Sequence, residues 1–374
     1  LQVLRDHVPR LCDNGGKVMN MAQRVLMKGN EALAQAAIDA GCRCFFGYPI
    51  TPQTELAAYM AKQMPKVGGV YLQAESEIAA INMVQGAAAA GVRAMTSSSS
   101  PGISLKTEGI SYMCGSDLPA LIVNVQRGGP GLGGIQPSQA DYWQATKAPG
   151  HGDLHILVFT PSSVQEMVDL VGKAFDLADK YRMPAMILAD GLLGQMMEPV
   201  EIGGKEVPVP AAKPWAACGH RNQREHNIVN SLYLTASELE DLVKKRFERY
   251  REIEAKEPLC EAYLVDDADI VVAAYGAAAR IAKAAVRTAR ERGIRAGLLR
   301  PVTVWPFPKK DFQAAARHAS RFLCVEMNMG QMVDDVRLAV ECSKPVGFFG
   351  TTGGVIPTPA QVLEQIENLS GGAR

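Results

Sequence analysis

Two charged side chains stand where they could do chemistry. Glu77 sits between the short apolar run Val70 to Gln73 and an alanine-rich stretch, and Arg127 closes the run Ala120 to Val125 and enters a string of glycines. A carboxylate at a helix start ordinarily compensates the helix dipole; buried, it can instead hold a proton or bond to a ring nitrogen. A guanidinium placed like Arg127 can grip a carboxylate at two points or simply carry a strand-end charge to water. Nearby in the sequence lie Tyr48-Pro49-Ile50-Thr51-Pro52 and the hydroxyl-rich run Thr96-Ser97-Ser98-Ser99-Ser100-Pro101-Gly102. The serines are potential nucleophiles, but no His-Asp partnership accompanies them. His151 and His155 are the nearest histidines and read as structural, which sets a serine hydrolase aside. Gly129-x-Gly131-x-x-Gly134 follows a strand and matches a dinucleotide fingerprint. Yet Pro130 and Pro137 interrupt it, no amphipathic helix opens there, and no ribose-binding carboxylate follows, so it reads as a flexible loop that closes over a ligand. No Walker A lysine loop is present.

These segments need elements to position them. The pattern predicts helices over Asn30 to Ala40, Thr54 to Gln63, Glu75 to Ala90 and from the capping box Ser163/Glu166 to Tyr181. It predicts strands at Cys42 to Gly47, Val70 to Gln73, Ala94 to Thr96, Ala120 to Val125, His155 to Phe159 and Met186 to Ala189. Strands alternating with helices mean a parallel α/β sheet. In such sheets ligands bind beyond the carboxyl ends of the strands. The segments Tyr48 to Pro52, Glu75 to Glu77, Thr96 to Gly102 and Arg127 to Gly134 all fall at such ends, which favours one site over four independent turns.

With 374 residues and 39 Lys+Arg against 39 Asp+Glu, the chain is long enough for two domains and has no global attraction to nucleic acid or an anionic membrane. No apolar run reaches the roughly 20 residues that a bilayer span requires. Eight cysteines are scattered without a C-x-x-C, so no zinc knuckle, iron–sulfur site or other metal site is expected in this chain. They read as reduced, mostly buried thiols of a cytoplasmic protein, with Cys42 and Cys44 facing one side of a strand. Residues 1–21 lack hydrophobic periodicity and precede or include Met19 and Met21, so they are expected to be a non-native or disordered leader. Residues 22–200 form the larger unit. A linker at 201–264 carries Pro208, Pro210 and Pro214, then a charged helix from Ser237-x-x-Glu240 to about Lys256. Leu239, Leu242, Val243, Phe247 and Tyr250 recur on it at helical spacing, as for a coiled-coil arm or, more simply, an amphipathic helix packed on the body or on a partner subunit. A smaller α/β unit occupies 265–374, with strands at Ile270 to Tyr275, Ile294 to Leu299 and Phe322 to Glu326 and helices at Ala277 to Arg292 and Pro359 to Leu369.

The segments Gly29-Asn30-Glu31-Ala32, Tyr48-Pro49-Ile50-Thr51-Pro52, Ala74-Glu75-Ser76-Glu77, Thr96 to Gly102 and Val125-Gln126-Arg127-Gly128-Gly129-Pro130-Gly131 occur in this order. In that order they resemble the alpha subunits of 2-oxoacid:ferredoxin oxidoreductases, over about Val25 to Arg374. Gly134 to Tyr142, with Gly194-Gln195-Met196-Met197-Glu198-Pro199, is most similar to the branched-chain (3-methyl-2-oxobutanoate, or 2-ketoisovalerate) branch; the 2-oxoglutarate branch is the runner-up. The resemblance implies a thiamine-diphosphate-binding fold of the pyrimidine type followed by a transketolase C-terminal-like domain. It implies oxidative decarboxylation of a 2-oxoacid with coenzyme A to acyl-CoA, CO2 and reduced ferredoxin. By the resemblance, Glu77 bonds the aminopyrimidine ring nitrogen and is catalytic, Thr51 and Arg127 contact the substrate, and Tyr48, Pro49, Ile50, Ser97, Ser98, Ser99 and Ser100 line the cofactor with Glu77. The G-D-G motif that holds the diphosphate and Mg2+ is absent here, since alanine precedes Asp190-Gly191. The implied assembly is therefore a hetero-oligomer: a beta subunit carrying G-D-G, a gamma or ferredoxin-like delta subunit with the four-iron, four-sulfur clusters, and ferredoxin as acceptor. A non-catalytic scaffold subunit and a self-contained transketolase-like enzyme are the competing readings. Glu77, Thr51 and Arg127 all standing in place opposes the first, and the missing G-D-G opposes the second.

Overall fold

A computed structural model of the chain describes residues 23–203, 212–220 and 222–371. The expected leader at 1–21 and the linker prolines Pro208 and Pro210 lie outside the described residues. The strands are β1 (Gln23–Lys28), β2 (Cys44–Gly47), β3 (Val70–Gln73), β4 (Ala94–Ser98), β5 (Leu121–Gln126), β6 (Leu157–Phe159), β7 (Ala185–Asp190), β8 (Met197–Ile202), β9 (Cys260–Tyr263), β10 (Ile270–Ala273), β11 (Ala296–Pro301), β12 (Thr303–Trp305), β13 (Arg321–Glu326) and β14 (Val346–Gly350). A seven-stranded sheet runs β12-β6-β7-β5-β4-β2-β3, and a five-stranded sheet runs β14-β13-β10-β11-β9. Pairing is parallel throughout except for β12 against β6 and β9 against β11; β1 and β8 form a separate antiparallel ribbon. Every position of β4, β5 and β7 is buried, as expected for strands covered on both faces.

The structure moves several expected boundaries, each for a local reason. The alanine-rich helix spans Glu77–Ala89 rather than starting at Glu75, because the Ser76 hydroxyl accepts a hydrogen bond from Ala79 N and caps the helix there. Glu77 therefore occupies the first helical position. β2 begins at Cys44, so Cys42 lies in the turn before it and does not share a strand face with Cys44; its thiol donates to the Cys44 carbonyl. Ser163 caps the helix Val164–Tyr181 as expected, but the Glu166 carboxylate reaches back to Ser162 N instead of Ser163 N. Two helices not expected from the pattern follow the serine run, Ser100–Ser104 and Thr107–Gly115; Pro101 sits in the first turn of the former, where a missing N–H costs nothing.

The charged helix is Ala236–Lys256. It packs on the body through its second half: Tyr250 and Ile253 are buried, and Tyr250 meets His155 and Trp305 edge-on. Arg249 pairs with Asp117 at 2.6 Å. This is the simpler of the two sequence expectations, with Leu239 at the other end exposed. His155 stacks on Trp305 at 4.7 Å, and burial holds its pKa below the ordinary value, which makes it a packing residue. Cys42, Cys114 and Cys324 are buried, and burial pushes the Cys42 and Cys114 thiols up to about 12. Among the described residues no helix is long and apolar enough to cross a membrane, and no group of His, Cys, Asp and Glu is arranged to hold a metal ion.

The two sheets are joined by buried polar contacts. β12, although it follows β11 in the chain, adds to the edge of the larger sheet. Arg300 at the end of β11 bonds Glu166 and Glu261, each at 2.7 Å. Gln139, fully buried, is the central lock. Its Nε2 donates to Tyr275 O at 2.8 Å and its Oε1 accepts from Met327 N at 3.0 Å. Its carbonyl accepts from Asn328 Nδ2 and the Tyr275 hydroxyl. Gln139→Met leaves Met327 N buried without its partner and Tyr275 O with Ala279 N alone. At about 1–3 kcal/mol for one orphaned donor, we expect a loss of roughly 1–3 kcal/mol in chemical denaturation. A change below about 0.5 kcal/mol, the usual scatter of surface substitutions, contradicts the lock.

Candidate active site

The order β5-β4-β2-β3 places four parallel strands side by side, so their carboxyl ends open on one edge. The four segments singled out in the sequence all leave from that edge. The structure thus gathers Tyr48 to Pro52, Glu77, Ser97 to Ser100 and Arg127 around one region.

Glu77 is only 7% exposed at the start of its helix. Its Oε1 faces Gly102: a Cβ there would lie 2.7 Å from Glu77 Oε1 and 2.0 Å from Ser98 Oγ. Glycine at 102 is what lets the serine run close over the carboxyl. Among the described residues no hydrogen bond reaches the Glu77 carboxyl. The hydroxyls around it divide into two kinds. Ser97 Oγ donates to Gln53 Oε1 at 2.6 Å, and Ser100 Oγ donates to Asp141 at 2.6 Å while accepting from Arg127 N at 3.0 Å. Those two serines hold the loop. Thr96, Ser98 and Ser99 keep buried hydroxyl oxygens with no partner.

Arg127 does not carry its charge to water, one of the two sequence alternatives; it is 7% exposed. Its Nη1 donates to Thr51 O at 3.0 Å and its Nη2 to Leu132 O at 3.2 Å, while Nε is buried without a partner. The arginine therefore ties the Tyr48 to Pro52 loop to the glycine loop. That loop folds on itself, Gly134 N donating to Gly128 O. Gly133 has φ +57° and no room for a side chain, since a Cβ would meet Gly128 O at 1.9 Å. Asp141 lies beyond Ser100. Burial raises its pKa; hydrogen bonds from Ser100 and Asn124 and the charge of Arg127 pull it back.

Thr51 and Pro52 are held from both sides. While Arg127 takes Thr51 O, the Pro52 carbonyl accepts from Asn30 Nδ2 at 2.7 Å and Gln195 Nε2 at 3.1 Å. Both amides also donate to Glu55, whose other oxygen accepts from Lys28 Nζ at 3.2 Å. Asn30 and Gln195 fall inside sequence motifs, yet nothing in the pattern disclosed this clamp. The glycines beside them explain the motifs: a Cβ at Gly29 would strike Leu193 O at 2.0 Å, and one at Gly194 would meet Asn30 Oδ1 at 2.8 Å. A cleft of about 530 Å³ opens beside Thr51, walled by Ile135, Leu192, Met196 and Ile356 with Gln136 and Gln195. Tyr48 and Pro49 are exposed at the outer rim, next to a smaller hollow of about 140 Å³. Lys106, not singled out in the sequence, is fully buried behind Glu77 and donates to the Glu77 carbonyl at 3.3 Å.

These residues fit the ring half of thiamine diphosphate. The Glu77 carboxyl and the unpartnered hydroxyls of Ser98 and Ser99 suit a flat heterocycle with hydrogen-bonding edges. The diphosphate half finds no such fit here. Asp190 Oδ1 caps the helix Gly191–Gln195 through Leu192 N and Leu193 N, and its other oxygen accepts from Ala277 N. Burial raises Asp190 to about 6, and it serves the join between the two units.

Residues 35–257 match the family described as pyruvate flavodoxin/ferredoxin oxidoreductase, thiamine diphosphate binding, and residues 268–362 match core domain II of pyruvate:ferredoxin oxidoreductase. The chain is 49% identical over 346 residues to the ketoisovalerate oxidoreductase subunit VorB of Methanothermobacter thermautotrophicus, covering 92% of this chain and 98% of that one. It is 39% identical to the 2-oxoglutarate synthase subunit KorA of the same organism, covering 94% and 100%. Among solved structures, a 2-oxoglutarate:ferredoxin oxidoreductase from Magnetococcus marinus with 2-oxoglutarate, coenzyme A and succinyl-CoA bound superposes with a TM-score of 0.82 at 26% identity; it matches 92% of this chain, which spans 65% of that longer one.

Asn30→Leu removes one of the two donors to Pro52 O and one donor to Glu55. A destabilisation of about 0.5–1.5 kcal/mol is expected in chemical denaturation, the net worth of a hydrogen bond whose acceptors keep Gln195 as a second donor. Unchanged stability, with the Tyr48 to Pro52 loop as resistant to proteolysis as before, argues that Gln195 alone maintains the clamp.

Proposed function

The chain belongs to the pyruvate flavodoxin/ferredoxin oxidoreductase family of 2-oxoacid:ferredoxin oxidoreductase subunits. From that premise we propose that it is the alpha subunit that oxidatively decarboxylates a branched-chain 2-oxoacid with coenzyme A, giving acyl-CoA, CO2 and reduced ferredoxin. The observation that carries the reading is the buried, partnerless Glu77 carboxyl facing Gly102 beside the free hydroxyls of Ser98 and Ser99.

Thiamine diphosphate, when bound, supplies the carbon nucleophile and the electron sink. This chain's part is to orient and protonate. Glu77 hydrogen-bonds the aminopyrimidine ring nitrogen and shares a proton with it; in a dry pocket that bond is strong because little water competes. Ser98 and Ser99 meet the ring's polar edge, while Ser97 and Ser100 keep the loop in place and Tyr48, Pro49 and Ile50 form the rim. Thr51 contacts the 2-oxoacid, and Arg127 offers its free Nε–H and its charge toward the substrate carboxylate. That grip must hold the ground state without over-stabilising it, because the carboxylate leaves as CO2.

The apolar walls Ile135, Leu192, Met196 and Ile356 support an aliphatic substrate over 2-oxoglutarate, since among the described residues no Lys or Arg lines the cleft to meet a second carboxylate. The greater identity to VorB than to KorA points the same way. A beta subunit carrying G-D-G holds the diphosphate and Mg2+. Gamma and ferredoxin-like delta subunits with four-iron, four-sulfur clusters pass electrons to ferredoxin.

In the assembled complex, Glu77→Gln is expected to cut turnover by about 10²-fold or more, the range for losing acid–base assistance; near-normal turnover supports the scaffold reading instead. Assayed across 2-oxoisovalerate, 2-oxoglutarate and pyruvate, the complex should show its highest kcat/KM with 2-oxoisovalerate, and a preference for 2-oxoglutarate overturns the substrate assignment. The isolated chain should be colourless and retain no thiamine diphosphate after gel filtration; a brown, fully active single chain refutes the division of the site.

A further inference from the structure

Lys106 has no relative exposure at all, and its ammonium makes one hydrogen bond among the described residues, to Glu77 O at 3.3 Å. An ammonium removed from water without a hydrogen-bonded carboxylate is costly. Its location is not an accident of packing slack. The helix Thr107–Gly115 crosses the helix Glu77–Ala89 at Gly109, where a Cβ would lie 2.6 Å from Ile81. Gly109 stands three residues after Lys106, and Ile81 four residues after Glu77, about one turn in each case. The close crossing therefore sets Lys106 level with the first turn that carries Glu77. Burial lowers the lysine to about 8, and the Glu77 carboxylate is the charge that pulls it back up.

We propose that Lys106 is a positioning residue for Glu77: its sealed ammonium pins the first turn of the helix by the Glu77 carbonyl and so fixes where the carboxyl points. The inference rests on the assignment of Glu77 to the aminopyrimidine ring. When Glu77 cedes its proton to the ring nitrogen, the O–H bond breaks, the N–H bond forms, and the carboxylate remains opposite the ammonium. Other charged groups near this end of the site are engaged elsewhere. The Arg127 guanidinium donates to Thr51 O and Leu132 O, Asp141 accepts from Ser100 and Asn124 on the β5 side, and Glu108 accepts from Tyr112 on the outer surface.

Lys106→Met and Lys106→Gln, made in the assembled complex, test this with two readouts. The first is unfolding of the cofactor-depleted complex against pH. Because the folded-state pKa lies below the ordinary 10.5, the unfolded chain binds more protons between about pH 8 and 10.5, so wild-type stability rises through that window. The Met variant lacks this rise. It should unfold a few degrees, about 3 °C, above wild type at pH 7 and close to wild type at pH 10. The second is turnover. Both variants should lose about tenfold or more in kcat, with KM for the 2-oxoacid within about twofold of wild type, because Glu77 handles the proton while Thr51 and Arg127 meet the substrate. Lower stability of the Met variant at pH 7, or a loss carried by KM with kcat kept, assigns Lys106 a purely structural role and overturns the proposal, as does unchanged turnover. If Glu77→Gln is inactive while Lys106→Met keeps its kcat, this inference alone falls. If Glu77→Gln is fully active, the reading of Glu77 falls.

Discussion

A buried guanidinium must find acceptors, and Arg127 finds two that belong to different loops. That single requirement organises the open edge of the larger sheet. By taking Thr51 O and Leu132 O, the arginine fixes the end of β2's loop against the glycine loop that follows β5. Neither can move without leaving a desolvated charge. The backbone N–H of Arg127 donates to the Ser100 hydroxyl, which donates to Asp141, so the end of β5 and Asp141 are joined through that serine. The Ser100 bridge in turn pins the serine run that closes over Glu77. The serine run over the Glu77 carboxyl, the glycine loop and the Tyr48 to Pro52 loop are thus positioned by one connected set of bonds.

The same set continues into the second sheet. Two residues before Asp141, Gln139 is locked to Tyr275, Met327 and Asn328, and one residue after it the Tyr142 hydroxyl donates to Asp335 at 2.6 Å. Glu326, at the end of β13, accepts from the backbone N–H groups of Gln331, Met332 and Val333 and so fixes the loop that receives Gln139. The smaller unit sends Ile356 to the cleft, and its main contribution is anchorage: it keeps the segment carrying Asp141 from relaxing and loosening Arg127. Rigid support behind a first layer of site residues is what holds such a layer in working geometry.

How much of this could be read from the residues depended on whether the cause was local. The core strands were legible because apolar runs bounded by Gly and Pro are a property of the run itself. The convergence of four strand-end segments followed from parallel topology. Glu77 was visible as an acid at a helix start, though its exact place waited on Ser76 as the cap. Arg127 remained ambiguous, because grip and solvent exposure differ only in burial, which the sequence does not display. The clamp of Asn30, Gln195 and Glu55 on Pro52 was hidden, since its members are 140 or more positions apart at the extremes. β12 was missed because three residues carry no period, and its partner β6 belongs to the other unit. Lys106 was missed for a sharper reason: a lysine beside Thr107 and Glu108 reads as a solvated face, and only the Gly109–Ile81 crossing buries it.

The polar groups left without partners are the other side of this rigidity. Arg127 Nε and the hydroxyls of Thr96, Ser98 and Ser99 are buried and unsatisfied, and each such group destabilises the chain relative to an apolar substitute. A fold that kept them for no purpose could replace them at little structural cost, since neighbouring positions of β4 are already apolar. Ser98 stands with Glu77 around Gly102, whereas at the join between the sheets Gln139, Arg300 and Asp190 have found partners. Asp190 makes the contrast clear. It occupies the end of a central strand, a position suited to ligand binding, yet its oxygens are fully engaged in capping a helix and receiving Ala277 N. At this sheet edge, unmet hydrogen-bonding capacity therefore lies along the serine run and at Arg127, while Asp190 is satisfied. On the proposed function that asymmetry suits a divided site, in which the groups that orient and protonate are here and those that neutralise a phosphorylated tail come from a partner subunit.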